Sequence, residues 1–175
     1  MASLANAIRG VYRDVLHVTD NQIIHDSGWV SNTIVDRCRI LLAGFIKSES
    51  ASGIQSLFVG AGQESWDATG PPAPPATATT LVTPYVEPIP MERLDVVYLD
   101  AQGEVSEEPT SRLQITATLP PGYPVPIPPL ATYPLREFGL FGSFNGTPYM
   151  INSIRHPVIH KDALATLIRL VRLYF

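Results

Sequence analysis

The chain has 175 residues, a net charge of −4 and a pI near 5.5. Hydrophobic residues make up 45%, ample for a core, and only 16% are charged, against about 25% in ordinary soluble domains. The acidic balance speaks against a nucleic-acid binder, which would carry a basic face, and a surface so poor in charge suits a protein covered by partners in an assembly.

The length suggests a single structural domain over residues 1–175. Cys38 is the one cysteine, so no internal disulfide can form. No apolar run reaches the roughly 20 residues of a transmembrane helix. Residues 1–9 lack a basic stretch followed by a sustained apolar core. The expectation is a cytoplasmic protein with no direct membrane insertion.

In chain order, residues 11–18 alternate loosely and lead into Thr19-Asp20-Asn21, after which residues 22–26 resume an extended pattern. This predicts a hairpin around an Asp-Asn turn. Ser31 or Asn32 can cap a helix, and Asp36 lies where the helix dipole favours negative charge. Ile34, Cys38, Leu41, Leu42 and Phe45 recur at three- and four-residue spacing, which predicts an amphipathic helix over roughly residues 32–47. Residues 54–60 read as a buried strand ending in Gly60-Ala61-Gly62.

Residues 63–80 differ in character. Trp66-Asp67 leads to Gly70-Pro71-Pro72-Ala73-Pro74-Pro75. Proline lacks the amide donor that a sheet needs and fixes φ, so the segment is an extended proline-rich loop. A loop of that length in a small domain usually has a task. Residues 91–100 and 111–119 read as strands around an acidic turn holding Glu104, Glu107 and Glu108. A second proline-rich link spans residues 120–134.

Leu135-Arg136-Glu137-Phe138-Gly139-Leu140-Phe141-Gly142 is the expected centre of the fold. Neither period-two face is purely apolar or purely polar, which points to a central strand covered on both sides. Asn145-Gly146 follows, the strongest short hairpin signal, and residues 149–154 form the return strand. Residues 163–175 fit either helix or strand by period, with Arg169 the exception on the strand face; the β character of this half favours strand at the distal part. The fold class expected is mainly β (α+β), with β-sandwich-like antiparallel sheets, one amphipathic helix and proline-rich extended loops.

No catalytic, cofactor-binding or metal constellation emerges. His156 and His160 have the spacing of two ligands on a helix, but Pro157 follows His156 and no carboxylate lies between them as in His-Glu-x-x-His. Gly60-Ala61-Gly62 lacks the Gly-Lys-Ser/Thr of a phosphate loop. Cys38 lies on the apolar stripe and reads as a small core residue. Ser27 and Ser143 lack the context of a hydrolase nucleophile. Arg136 and Glu137 face opposite sides of the strand, so each needs a partner elsewhere: a structural ion pair, the preferred reading, or a neighbouring subunit. Trp66, Asp67, Pro71, Pro72, Pro74 and Pro75 complete the candidate interface, since tryptophan supplies buried area and a proline segment loses little entropy on docking. Packing of this loop over its own sheet is the competing reading for Trp66.

Taken in order, several marks carry a resemblance. They are the segment from His25-Asp26-Ser27-Gly28-Trp29 to Val35, Leu41-Leu42-Ala43, Phe58-Val59-Gly60-Ala61-Gly62, Trp66-Asp67, Leu135 to Phe141, His156-Pro157, Lys161 and a closing strand ending in Phe175. This series resembles tail- and baseplate-associated proteins of tailed phages and of phage-tail-like contractile injection systems. The resemblance implies a non-catalytic structural subunit present in several copies, with other tail or baseplate subunits and copies of itself as partners and no cofactor. The alternative is a receptor- or carbohydrate-binding module of a tail fibre, for which Trp66, Tyr85 and Tyr149 would be the exposed aromatics. The chain has no long repetitive shaft, which favours an assembly, adaptor or extension subunit.

Overall fold

A computed structural model describes residues 7–175. The elements are β1 (Arg9–His17), β2 (Ile23–Asp26), β3 (Val30–Ile34), α1 (Asp36–Ile46), β4 (Ala51–Gly60), α2 (Trp66–Thr69), β5 (Ile89–Pro90), β6 (Leu94–Leu99), β7 (Val105–Ser106), β8 (Arg112–Leu119), β9 (Thr132–Phe144), β10 (Thr147–Met150), β11 (Asn152–Asp162) and β12 (Thr166–Tyr174). The chain is mainly β. All strands join one sheet in the order β5-β4-β9-β11-β3-β1-β12-β8-β6-β7, with β10 on β9 and β2 on β1. Every pairing is antiparallel.

The sheet curls because one piece of chain belongs to both of its ends. β5 pairs with β4, and a single 3₁₀ turn, Met91–Arg93, separates β5 from β6, which pairs with β8. Opposed halves of the sheet therefore face each other across one core, as the layers of a sandwich would. Leu57, Ile115, Leu135, Phe138, Leu140 and Leu167 are fully buried there.

β9 is the central strand. It pairs with β4 on one side and with β10 and β11 on the other, and residues 135–142 are all buried. Asn145 (φ 50) and Gly146 (φ 78) both take the positive φ that a type I′ turn requires. The return strand is broken after Met150. Asn152 Oδ1 accepts a bond from the Leu140 backbone N–H at 2.9 Å, and the Asn152 carbonyl lies 2.6 Å from where a Cβ on Gly139 would stand. Glycine at 139 permits this approach, and β11 then resumes pairing with β9 at Ile154 and Phe138.

The helix is shorter than its spacing predicts, and it faces differently. Residues 30–34 form β3, whose Asn32 pairs with Gly10 of β1 and whose Ile34 pairs with Asn152 of β11. Slotting between two strands satisfies the backbone at both edges and overrides the capping preference of Ser31 and Asn32. Val35 (φ −87, ψ 160) precedes the helix with no side-chain cap. α1 buries Cys38, Leu41 and Gly44, while Phe45 is 70% exposed. Gly44 lies flat against the Phe144 ring, where an added Cβ would come within 2.4 Å, so this turn of the helix presents Gly44 inward and Phe45 outward.

The C-terminal run begins as a turn at residues 163–164 and is a strand over its distal part, Thr166–Tyr174, with Leu167, Arg169, Val171 and Leu173 all buried on one face. β1 lies beside it and places Asp14 opposite Arg169. β2 and β3 occupy successive stretches of one edge of β1, with Ser27-Gly28-Trp29 bulged between them.

Phe138 is the aromatic hub of the core. Its ring lies edge-on to Tyr12 at 5.4 Å and under the Arg169 guanidinium at 3.8 Å. Phe138→Ala should lower stability by about 3–5 kcal/mol, measured as a shift in the urea midpoint with an unchanged slope.

Candidate functional site

The site that the sequence singles out is the face where the proline-rich loop meets β9. Arg136 and Glu137 point to opposite sides, and each secures one end of that loop. Arg136 grips Asp67 in a two-point ion pair, Nε–Oδ1 2.7 Å and Nη2–Oδ2 2.6 Å, and its Nη1 donates to the Ala61 carbonyl at 2.9 Å. The guanidinium beside Asp67 holds that carboxyl below its usual range, the hydrogen bond being the larger cause. Glu137 accepts the backbone N–H groups of Val82 and Thr83, at 3.0 and 2.6 Å. Both residues are buried and both are partnered within the chain, which supports the structural ion-pair reading of Arg136.

Trp66 opens α2 and is only 6% exposed. Gly62, at φ +58, brings the backbone so close to the indole that a Cβ would lie 2.5 Å from it. Arg155 covers the ring at 5.0 Å and donates from Nη1 to the Pro72 carbonyl at 3.3 Å. The Asp36 N–H, at the start of α1, donates to the Ala76 carbonyl at 2.8 Å. The loop therefore packs back over its own sheet, and Trp66 anchors it from within. Pro72 and Pro75 are exposed, whereas Pro71 and Pro74 are half-buried. Tyr85 is half-buried between Tyr123 and Tyr133, and Tyr149 is half-buried under Arg37.

A second polar group lies in the core. Arg169 donates to both oxygens of Asp14, at 2.9 and 3.0 Å, and its Nη2 lies 2.7 Å from His156 Nε2. All three side chains are buried. Because arginine can only donate, His156 Nε2 must accept, which leaves its proton on Nδ1, 2.8 Å from the Pro157 carbonyl. Burial first, and the Arg169 charge second, push His156 down to about 4. A cleft of about 370 Å³ opens above this group, lined by residues 25–27 and Val30 on one side and by the stretch of β11 that bulges in its pairing with β9 on the other. Ser27 lines it, but its Oγ accepts from the Asp14 N–H and donates to the Gly28 carbonyl. Ser27 and His156 are thus each engaged elsewhere and not with one another.

Asp14, Arg169 and Lys161 are the polar core residues that reading the sequence for chemistry misses. The signal for Arg169 is its place on the apolar face of β12, since a charge at such a position needs a buried partner. Lys161, fully buried, donates to the carbonyls of Pro120 and Ala165, at 2.9 and 2.8 Å, and so ties the second proline-rich link to the β11–β12 turn. Burial lowers it to about 8. His160 is exposed, 3.4 Å from Thr132 Oγ1, and does not converge with His156. Among the described residues no group of three or more His, Cys, Asp or Glu is placed to hold a metal, and no helix is long and apolar enough to cross a membrane.

The third feature is apolar. A cleft of about 380 Å³ lies between α1, the start of β4 and β6, with Cys38, Leu41 and Leu113 among its lining. Burial pushes the Cys38 thiol up, so the thiolate is disfavoured there.

Two measurements check these assignments. Glutamine at 137 keeps one acceptor and turns an N–H group toward a donor, so Glu137→Gln should cost about 1–3 kcal/mol and expose residues 63–80 to limited proteolysis. His156 is held below its unfolded value of 6.5, so the unfolded chain binds its proton first as pH falls. Stability should therefore fall between about pH 6.5 and 4, by on the order of 3 kcal/mol from this group. Thermal melting as a function of pH reads this out, and His156→Gln should flatten the profile in that window. No family model, no curated protein and no solved structure matches this chain.

Proposed function

We propose that this chain is a non-catalytic structural subunit of a contractile phage-tail-like particle, assembled in the cytoplasm through contacts with other tail or baseplate subunits and with copies of itself. The observation that carries the assembly reading is the apolar outer face of α1. Ile40 is 47% exposed and Ile46 82%, with exposed Ala43 between them at three-residue spacing and Phe45 beside them at 70%. Contiguous exposed apolar side chains on a small domain mark an interaction surface. The scarcity of surface charge works in the same direction, because Arg136, Lys161, Arg169, Asp14 and Glu137 are buried within the fold. The pinned proline-rich loop adds a surface that loses little entropy when a neighbour covers it. The kind of particle rests on the sequence resemblance alone.

The test is the mass of the purified chain in solution, with imaging of whatever assembles. Phe45→Lys and Ile46→Lys together lie on the outer surface and leave the core intact. The expected result is a multimer, visible as rings or stacked layers, that the double variant dissociates by at least about tenfold in concentration. A chain that stays monomeric at all concentrations, and enters no larger particle, sinks the reading. Deleting residues 63–80 is the poorer probe, because it would strand the buried Arg136 without Asp67.

A further inference from the structure

The curled sheet does not close along its whole height. β4 pairs toward the β5 side only at Ser56 and Leu57, with Gly60 bridging to Pro84. β6 pairs on its outer edge only at Tyr98 and Leu99, with β7. Residues 51–55 and 94–97 thus have no strand partner on the sides where the two ends of the sheet approach each other, among the described residues. Between them lies the apolar cleft of about 380 Å³. Leu41, Leu113, Ile151 and Leu173 are among the residues lining it, no charged side chain is, and Met91, Tyr98 and Phe175 stand partly exposed around it.

We propose that this seam is a strand-acceptor site. It takes an extended apolar segment carrying basic residues, contributed by a different subunit, which adds to the free edge of β6. The inference deepens the assembly reading above and rests on it.

Three observations choose this occupant. The cleft has the volume of a small ligand pocket. That is less than one turn of a helix about 10–12 Å across, yet it accepts the alternate side chains of a strand. Unpaired backbone edges beside an apolar floor are the two parts of strand addition, hydrogen bonds from the edge and specificity from the pocket. The charge is also one-sided. Residues 87–108 hold seven carboxylates and one cation, Arg93. None of them takes part in an ion pair among the described residues. Asp95 and Glu92 are exposed on this edge. Two copies brought together edge to edge would repel, and a basic segment would not.

The probe is an acetylated hexapeptide of alternating valine and lysine, titrated into the full chain and followed by fluorescence anisotropy. Its valine–glutamate counterpart and a backbone N-methylated version are the comparators. Gly53 lines the cleft, and a Cβ there would meet nothing within 4 Å, so Gly53→Phe fills the seam from open space. Asp95→Lys changes only the exposed edge and keeps the test decisive if Gly53→Phe alters melting.

The expected result is saturable binding of the lysine peptide, at least about tenfold tighter than the glutamate peptide. N-methylation and Gly53→Phe should abolish it, and Asp95→Lys, which exchanges one of the seven carboxylates for a cation, should narrow the charge preference. Absence of binding by either peptide, or equal binding of the N-methylated form, overturns the proposal. So does a wild-type multimer that Gly53→Phe dissociates without any peptide, because the occupant would then be a second copy. Peptide binding and the solution mass are read independently, so failure of the seam and failure of the assembly reading are distinguishable.

Discussion

The register of the two terminal strands depends on one buried guanidinium. Arg169 lies directly opposite Asp14 across the β1–β12 ladder, and Phe138, Tyr12 and His156 pack around the pair. Side chains alternate faces in a strand, so a slip of one residue would turn the shifted strand's charge outward and leave the other buried without its partner. A slip of two would leave each charge buried without its partner, and a broken buried pair costs about 3–5 kcal/mol. Residues 155 apart in sequence are thereby held to one alignment. His156 extends the constraint to β11 by accepting from the same guanidinium. The orientation of Arg169 therefore sets three strands at once, and the cleft above it is bounded by what those strands do next.

The same logic governs the loop face. Arg136 and Glu137 stand side by side in the most buried strand, and burial of two charges there is tolerable only because each meets a full set of partners. Glu137 takes two backbone N–H groups of the returning loop, and Arg136 takes a carboxylate and a carbonyl of the departing one. The loop has few apolar side chains of its own, so its conformation is imposed by these charges and by Trp66 from beneath. Its ordered shape is a property of β9 more than of its prolines. Past Gly70 the loop is proline, alanine and threonine through Thr80, which present neither charge nor a large rotamer entropy to a neighbour.

Period and turn chemistry carry the sheet well. Alternation marks β1 and β8, Asn145-Gly146 marks the central turn, and the mixed faces of Leu135 to Gly142 announce a strand buried on both sides, as it is. The helix start misleads because capping is local. Ser31 and Asn32 suit a cap, but β1 and β11 offer their edges to the same backbone, and those strands are distant in sequence. The inward turn of Gly44 escapes for a similar reason, since only Phe144 makes a glycine preferable to Phe45 on that face. Of the site, the charged pair on β9 is visible from its apolar context, and its partners are not. Asp67 and the Val82 and Thr83 amides lie more than fifty residues away, and no periodicity encodes such a contact.

The incomplete closure of the sheet follows from its own geometry. Gly53, Ile54 and Gln55 form a bulge opposite Gly142, whose missing side chain lets the Ser52 and Gly53 carbonyls approach within 2.7 Å of an added Cβ. A bulge bends its strand and increases the local twist, and here it lies in the stretch of β4 that borders the cleft between α1 and β6. The 3₁₀ turn at Met91–Arg93 interrupts the strand on the other side at the same height. Both interruptions sit at the level where α1 crosses, so the helix covers part of the opening and leaves a slot. A sheet that ended in two long regular edges would invite indiscriminate pairing. This one ends in short, bulged and acidic edges around an apolar floor, which restricts association to a partner with the matching shape and the opposite charge.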